Sequence, residues 1–491
     1  MRAAFVFLAV LAMGLFASGA ILADDYPEIG LQQPLGGDWM SEDYTGMWMQ
    51  EAEPSPSDQP VPPTQEPVPG DTKGLVADEG PAAGCGPSRV ADCGGGCIGR
   101  WACVPRASRT CGPAACDSDA CCGPCCCGCG GVLDGLCLWS DCEQFKLLGE
   151  SCTGISAGGW LQSGFYSYDT GMFNNYPDHL NVNQVWLYSE KALDTECGWD
   201  WGYRVDYVYG TDAPDTQAFG NRLDTWDFGW THGDFYGHAI PQLYGEVGYG
   251  NLSVKLGHFY TILGYEVVTA PDNFFYSHAF TMYYGEPFTH TGALATYKAG
   301  DNLTFYGGWT AGFDTGFDSF GGDVFLGGVS MGLGENITAT YACTAGNIGF
   351  GTDASGYSQS IVIDVKLTER LNYVLQSDYI DYDGVVTSSA SLAGQPGDAF
   401  LMRRYGVNNY WFYEINDCLS AGLRFEWFNA EEGPGAGRSD LYELTFGLNY
   451  QPHPNLRIRP EIRWDKDDDA FTVNPDSNDR VGFGMDMILT F

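Results

Sequence analysis

The segment RVGFGMDMILTF (480–491) constrains the fold more than any other stretch of the chain. Val481, Phe483, Met485, Met487, Leu489 and Phe491 alternate with Gly482, Gly484, Asp486, Ile488 and Thr490. A period of two is that of a strand, so one face is apolar from end to end. The other face is small or polar, with Ile488 the exception. Water does not accommodate such an apolar face, and the strand must bury it or hold it against lipid.

The same texture recurs along residues 153–491. WDWGYRVDYVY places Trp199, Trp201, Tyr203, Val205, Tyr207 and Tyr209 on one face, against Asp200, Gly202, Arg204 and Asp206. Ile361, Ile363, Val365 and Leu367 oppose Asp364 and Lys366; Leu303, Phe305, Trp309 and Phe313 oppose Thr304, Tyr306 and Thr310. Sixteen segments of this kind are expected between residues 155 and 491. Their connections are sorted by length. Those after even-numbered segments are short (250–251, 300–302, 334–336, 368–370, 416–418, 451–455, with 191–198 a little longer). Those after odd-numbered segments are longer, the largest being 210–238, 261–287 and 383–402. Short turns on one rim and long loops on the other describe an all-β transmembrane antiparallel barrel, with the turns on the periplasmic side. A closed barrel also leaves no strand edge, because the last strand pairs with the first. Both ends of the 153–491 barrel are then expected on the periplasmic rim.

Composition agrees with that reading. Glycine is 67 of 491 residues and aromatics are 14%, a mixture suited to strands that face lipid on one side and water on the other. Lys and Arg number 23 against 63 Asp and Glu, a net charge of −40, which excludes a nucleic-acid partner because phosphate contacts need basic surface. After the leader no apolar run of helix-spanning length occurs. The leader itself (1–23) has the form of a secretory signal peptide: Arg2, an apolar stretch from Ala3 to Phe16, then the small-residue region ASGAILA.

Residues 24–84 are an acidic, Pro-rich linker, read as solvated and disordered. Residues 85–152 hold 15 of the 18 cysteines, a Cys-rich module for which disulfides are the default in an exported chain. Cys122 and Cys125 have the CxxC spacing of a thiolate metal site, the sharper alternative, but no His lies in 85–152 and no metal is assigned. Connectivity is not legible. Cys152, Cys197 and Cys418 fall near the expected periplasmic rim and are the candidates for a bridge between module and barrel.

Within the barrel, GHFYTILGYEVVTAPDNFFYSHAF (257–280) and GEPFTHTGALATYKAGDNLTFYGGWTAGFD (285–314) resemble the outer-membrane β-barrel porins of the OmpL-like family, and the likeness extends over most of 153–491. The resemblance implies an outer-membrane channel and brings no catalytic or ligand residues with it.

A pore of this size must be narrowed by inward residues and folded-in loops. In NLRIRPEIRWD, Leu456, Ile458, Ile462 and Trp464 take one face, while Arg457, Arg459, Glu461 and Arg463 take the face expected to line the lumen. Arg424 and Glu426 point the same way. Loop 261–287 carries Glu266, Asp272 and Glu286 around an aromatic run too apolar to display to water. It is the candidate constriction; packing over the rim or on a neighbouring copy is the alternative. Facing the arginine row, the acidic loop is expected to set a transverse field that favours small dipolar solutes, with cations preferred overall.

Enzyme signatures are missing: no GxSxG, HExxH or phosphate loop, and seven scattered histidines, of which His232 and His238 share a loop. The Asp-rich DKDDDAF (465–471) lacks the Gly and distal Glu of an EF-hand. The chain is read as non-enzymatic, without cofactor. Two functions are carried forward: a porin for small hydrophilic solutes, and a structural envelope protein whose barrel anchors the cross-linked module. The partners expected are membrane lipid, those solutes, and envelope proteins reached through the module; a homo-oligomer is left open. The location expected is the outer membrane of a Gram-negative-type envelope.

Overall fold

The computed structural model describes residues 137, 144–146, 153–232, 235–318, 320–391, 393–431, 438–467 and 479–491. The signal peptide, the linker and most of the Cys-rich module lie outside the described residues.

Alternation becomes strands. Sixteen of them close into one antiparallel barrel: β1 (Ile155–Tyr166), β2 (Leu180–Lys191), β3 (Trp199–Gly210), β4 (Leu243–Tyr249), β5 (Leu252–Tyr260), β6 (Thr289–Gly300), β7 (Leu303–Thr310) and β8 (Asp323–Gly332), then β9 (Ile337–Asn347), β10 (Ser355–Lys366), β11 (Leu371–Val385), β12 (Ala399–Asn416), β13 (Leu419–Glu431), β14 (Arg438–His453), β15 (Leu456–Asp467) and β16 (Asp479–Thr490). Each pairs with its neighbours in sequence, and β1 pairs with β16 from Trp160↔Thr490 to Tyr166↔Gly484. Gly159 and Phe491 exchange both backbone hydrogen bonds at 2.5 Å, so the seam is bonded to its short-turn end.

On β16 the outward Val481, Phe483, Met485, Met487 and Leu489 are exposed to the lipid side, whereas Asp486 and Ile488 are buried inside. Ile488 breaks the polar pattern for a reason: it packs in an interior cluster with Trp160, Trp186, Val268 and Ala270. Two expectations are corrected in detail. The fourth strand is broken: β3 pairs above with Tyr236–Ala239 and below with β4, and the interruption falls at Pro241, which has no N–H to donate. Phe313 lies beyond the end of β7 and turns inward onto Val324, Ile348, Ile380 and Tyr382 rather than outward with Trp309.

The rims are sorted as expected. Turns 250–251, 301–302, 333–336, 367–370, 417–418 and 454–455, with the longer 192–198, occupy one end; the long loops, including 211–235 with α1 (Ala213–Thr216) and 261–288 with α2 (Phe280–Tyr284), occupy the other. On the short-turn rim Cys137 is disulfide-bonded to Cys418. Nearby, the Phe145 N–H donates to Asn455 Oδ1 and Asn455 Nδ2 donates to the Phe145 carbonyl, each at 2.8 Å. Cys137 and Phe145 therefore each meet a turn of that rim. Of the three candidate cysteines, Cys418 forms the module-to-barrel bridge, to Cys137 rather than to another of the three; Cys197 is exposed in the β2–β3 turn and Cys152 lies outside the described residues.

Candidate functional site

Loop 261–288, between β5 and β6, enters the barrel and crosses it. Pro271 and the short turns of Ala270–Asp272 and α2 leave much of its backbone without partners of its own, and the wall supplies them. Its aromatic residues fit where strands carry inward glycines. A Cβ on Gly422 of β13 would lie 2.4 Å from the Phe274 ring, and one on Gly164 of β1 would lie 2.5 Å from Tyr276. Phe275 packs with Val374 and Tyr410, and Leu263 with Phe259, Leu294, Leu326 and Ala342 on the far wall.

Arginines of β13 and β15 hold the loop. Arg459 donates through Nη1 to the carbonyls of Ala270 (2.9 Å), Asn273 (2.8 Å) and Phe275 (2.8 Å), while Nε and Nη2 grip Asp486 at 2.9 and 2.5 Å. Arg463 donates to the His278 carbonyl (2.5 Å) and pairs with Asp465 (2.7 Å). Arg457 reaches the Pro271 carbonyl at 2.6 Å. Arg424 joins Glu266 of the loop (2.6 Å) to Glu443 of β14 (2.8 Å) and takes the Ser277 carbonyl at 2.8 Å. These are charge-assisted bonds, the stronger class.

Wall carboxylates serve the loop's donors. Glu461 accepts from the N–H groups of Tyr276 (2.8 Å) and Ser277 (3.1 Å) and from the Tyr166 hydroxyl (2.9 Å). Glu426 accepts from the Phe280 and Thr281 N–H groups at 2.6 Å, satisfying the start of α2, and Arg404 takes the Tyr284 carbonyl at its end (2.5 Å). Burial pushes the Glu266 carboxyl up, but the Arg424 guanidinium and His278 outweigh it and hold it down at about 2.

The sequence expectation of an arginine row facing three loop carboxylates across a gap is not what the structure holds. Arg459 and Arg463 meet loop carbonyls and use wall carboxylates as counter-charges; of the three loop carboxylates only Glu266 pairs with an inward arginine, Arg424 of β13. Arg424, Arg459, Glu461 and Arg463 are sealed beneath the loop, whereas Arg457 is half-buried and Asp272 exposed. Glu286 sits against β11, where Gln376 Nε2 approaches it at 3.5 Å. Sequence reasoning missed Gln184, which bonds the Val268 carbonyl and the Ala270 N–H, and the counter-charges Asp486 and Glu443. The inward glycines were a usable signal, since Gly164 and Gly422 have lumen parity on their strands.

Because the wall side chains around the loop are buried, water is excluded between the two at this level. Among the described residues no group of three or more His, Cys, Asp or Glu is disposed to hold a metal ion. His232 of the long loop after β3 meets His238 of the Tyr236–Ala239 strand through their Nε2 atoms at 2.5 Å.

The model of the family described as "Putative beta-barrel porin-2, OmpL-like" matches residues 154–491. The chain belongs to this porin family. It is an outer-membrane channel protein. No curated protein matches it. Three solved structures are similar in fold: DcaP of Acinetobacter baumannii, described as an outer membrane channel (13% identity, TM-score 0.45, 70% of this chain and 99% of that one), OmpT of Vibrio cholerae in a trimer form (11%, 0.45, 69% and 99%), and an anion-selective porin from Comamonas acidovorans (11%, 0.45, 69% and 99%).

Proposed function

We propose that this porin passes small hydrophilic solutes and ions by diffusion, and that loop 261–288 sets its aperture. The observation that carries the reading is the loop's seat: it spans the lumen, bonded to Arg424, Glu426, Arg459, Glu461 and Arg463 on one side and to Ser360 and Gln376 on the other. An aperture closed this far admits only small solutes, and Arg457 and Asp272 are among the charges that meet water beside it. Proteoliposome swelling tests this. Uptake of small sugars and amino acids that falls off sharply with solute size is expected; no uptake of any solute, with the barrel correctly folded, would contradict it.

A second reading rests on the Cys137–Cys418 bridge, which joins the Cys-rich segment covalently to the barrel. In that reading the barrel anchors the module, and further cysteines cross-link it to envelope proteins. High-mass, reductant-sensitive species in envelope fractions support it, and their absence counts against it.

A further inference from the structure

Above the break in the fourth strand, a small hairpin presents two histidines on the outside of the barrel. Thr231–His232 pairs with Tyr236–Ala239, with Thr231↔Gly237 and His232↔Tyr236 in register. The second of these strands is fastened to β3, where Val208↔Ala239, Tyr209↔His238 and Gly210↔Gly237 pair, and the Tyr236 hydroxyl accepts from the Val182 N–H of β2 at 3.3 Å. Directly opposed residues of an antiparallel pair share a face, and so do residues two apart on one strand. His238 therefore stands on the face of Tyr207 and Tyr209. Trp199 and Trp201 are exposed on that same face of β3, the outer one. His232 is exposed and His238 half-buried, so neither ring is sealed inside the protein.

The two rings are aimed at each other. Their centroids lie 4.5 Å apart, their planes cross at 86°, and Nε2 faces Nε2 at 2.5 Å. On the far nitrogen, His238 Nδ1 is hydrogen-bonded to the Tyr207 hydroxyl, and the Tyr209 ring centroid lies 5.0 Å from that of His238. A bond of this kind at the second nitrogen fixes the orientation and tautomer of a metal-ligating histidine. With Nδ1–H given to the Tyr207 oxygen, His238 Nε2 carries a lone pair directed at His232. The exposed His232 ring can take the same tautomer, with water accepting from its Nδ1–H. Two imidazole lone pairs that converge on one point hold either a shared proton or a metal ion. Nitrogens about 2.0–2.1 Å from one zinc ion at a tetrahedral angle lie roughly 3.3 Å apart, so the His232 ring has to swing out by less than about 1 Å. Calcium and magnesium are disfavoured, because they ask for oxygen ligands. Among the described residues the side-chain hydrogen-bond partners of the pair are each other and Tyr207.

We propose that His232 and His238 bind a divalent first-row transition ion of the zinc type, each through Nε2, with Tyr207 positioning His238 and water filling the remaining coordination positions. Imidazole is a ligand suited to zinc, copper and nickel. Structural zinc takes four protein ligands, so an ion held by two is exchangeable. Bound, it joins the two-residue arm that carries His232 to the strand fastened on β3. The site lies on the outer wall and does not depend on loop 261–288 being the aperture.

The test is modification of the purified full-length protein in detergent by diethyl pyrocarbonate at neutral pH, with and without zinc chloride, mapped to single histidines by mass spectrometry. The reagent attacks an imidazole lone pair, and a metal on that lone pair blocks it. Zinc is expected to slow modification of both His232 and His238 severalfold and to leave the exposed His179 unchanged. In His232→Ala, which replaces an exposed side chain, the protection of His238 should vanish. Tyr207→Phe should need about ten- to a hundredfold more zinc for the same protection, the usual cost of losing such a supporting bond; an unchanged requirement would overturn the positioning role of Tyr207. Equilibrium dialysis should show one zinc equivalent fewer in His232→Ala and in His238→Ala than in the wild type, whatever the cysteines hold. Modification unaffected by zinc, protection of one histidine alone, protection of His238 retained in His232→Ala, or equal zinc content in all three proteins would overturn the site and leave the pair a hydrogen bond.

Discussion

Arg459 shows how the seat is built at the scale of one residue. A single guanidinium meets three loop carbonyls and Asp486, using the planar fork that a lysine lacks. Arg459→Ala leaves Asp486 buried with Gln162 alone among its hydrogen-bond donors described here. Breaking a buried pair from one side costs about 3–5 kcal/mol. Urea unfolding in lipid vesicles should show a loss of that order, and Arg459→Lys should not restore it; a loss within the error of the measurement would mean that the loop seats itself without Arg459. Glu266 gives a pH dependence of definite sign. Its folded carboxyl is held at about 2, below the ordinary 4.5, so its stabilisation is present above 4.5 and is lost as pH falls through 2. Loop protection from hydrogen exchange should therefore survive mild acid in the wild type and be weaker at neutral pH in Glu266→Gln. At this scale the lumen parity of Arg424, Arg459 and Arg463 could be read from alternation. Their loop partners could not, because the loop groups they bind are mostly backbone carbonyls, and every residue of the loop offers the same carbonyl.

At the scale of elements, the strands were legible because a lipid face and a lumen face impose strict alternation. The departures have local causes: Pro241 interrupts the fourth strand, and Phe313, beyond its strand end, is drawn to an interior cluster. The inward course of 261–288 was indicated by its aromatic content but not its contacts, which depend on glycines more than a hundred residues away. Gly422→Val tests that dependence, since a side chain there meets the Phe274 ring. It should unseat the loop and raise channel conductance without altering any charge; unchanged conductance would mean that Phe274 yields without moving the backbone. The outer loops titrate with the opposite sign to Glu266. Burial pushes Asp215 and Asp314 up from 3.8 to about 7. Their contribution is fully present below 3.8 and is lost as pH rises through 7. Amide protection factors in 211–232 and 311–318, corrected for the intrinsic pH dependence of exchange, should be larger in mild acid than in mild alkali.

For the whole molecule, closure through β1 and β16 and the sorting of turns and loops place the Cys137–Cys418 bridge on the short-turn rim. Lys146 is exposed between the bridge and β1, so trypsin should cut there. In the wild type the N-terminal piece should then stay attached until reductant is added, and in Cys418→Ser it should leave without reductant. The bridge escaped the sequence because fifteen clustered cysteines offer too many pairings, and only the folded rim brings Cys137 to Cys418. The central claim concerns the loop that fills the lumen. Single-channel conductance in planar bilayers, comparing the wild type with a variant in which residues 270–279 are replaced by a short Gly-Ser linker, tests it most directly. The account predicts a low wild-type conductance that rises severalfold in the variant, whereas equal conductances would show that ions pass by a route the loop does not control.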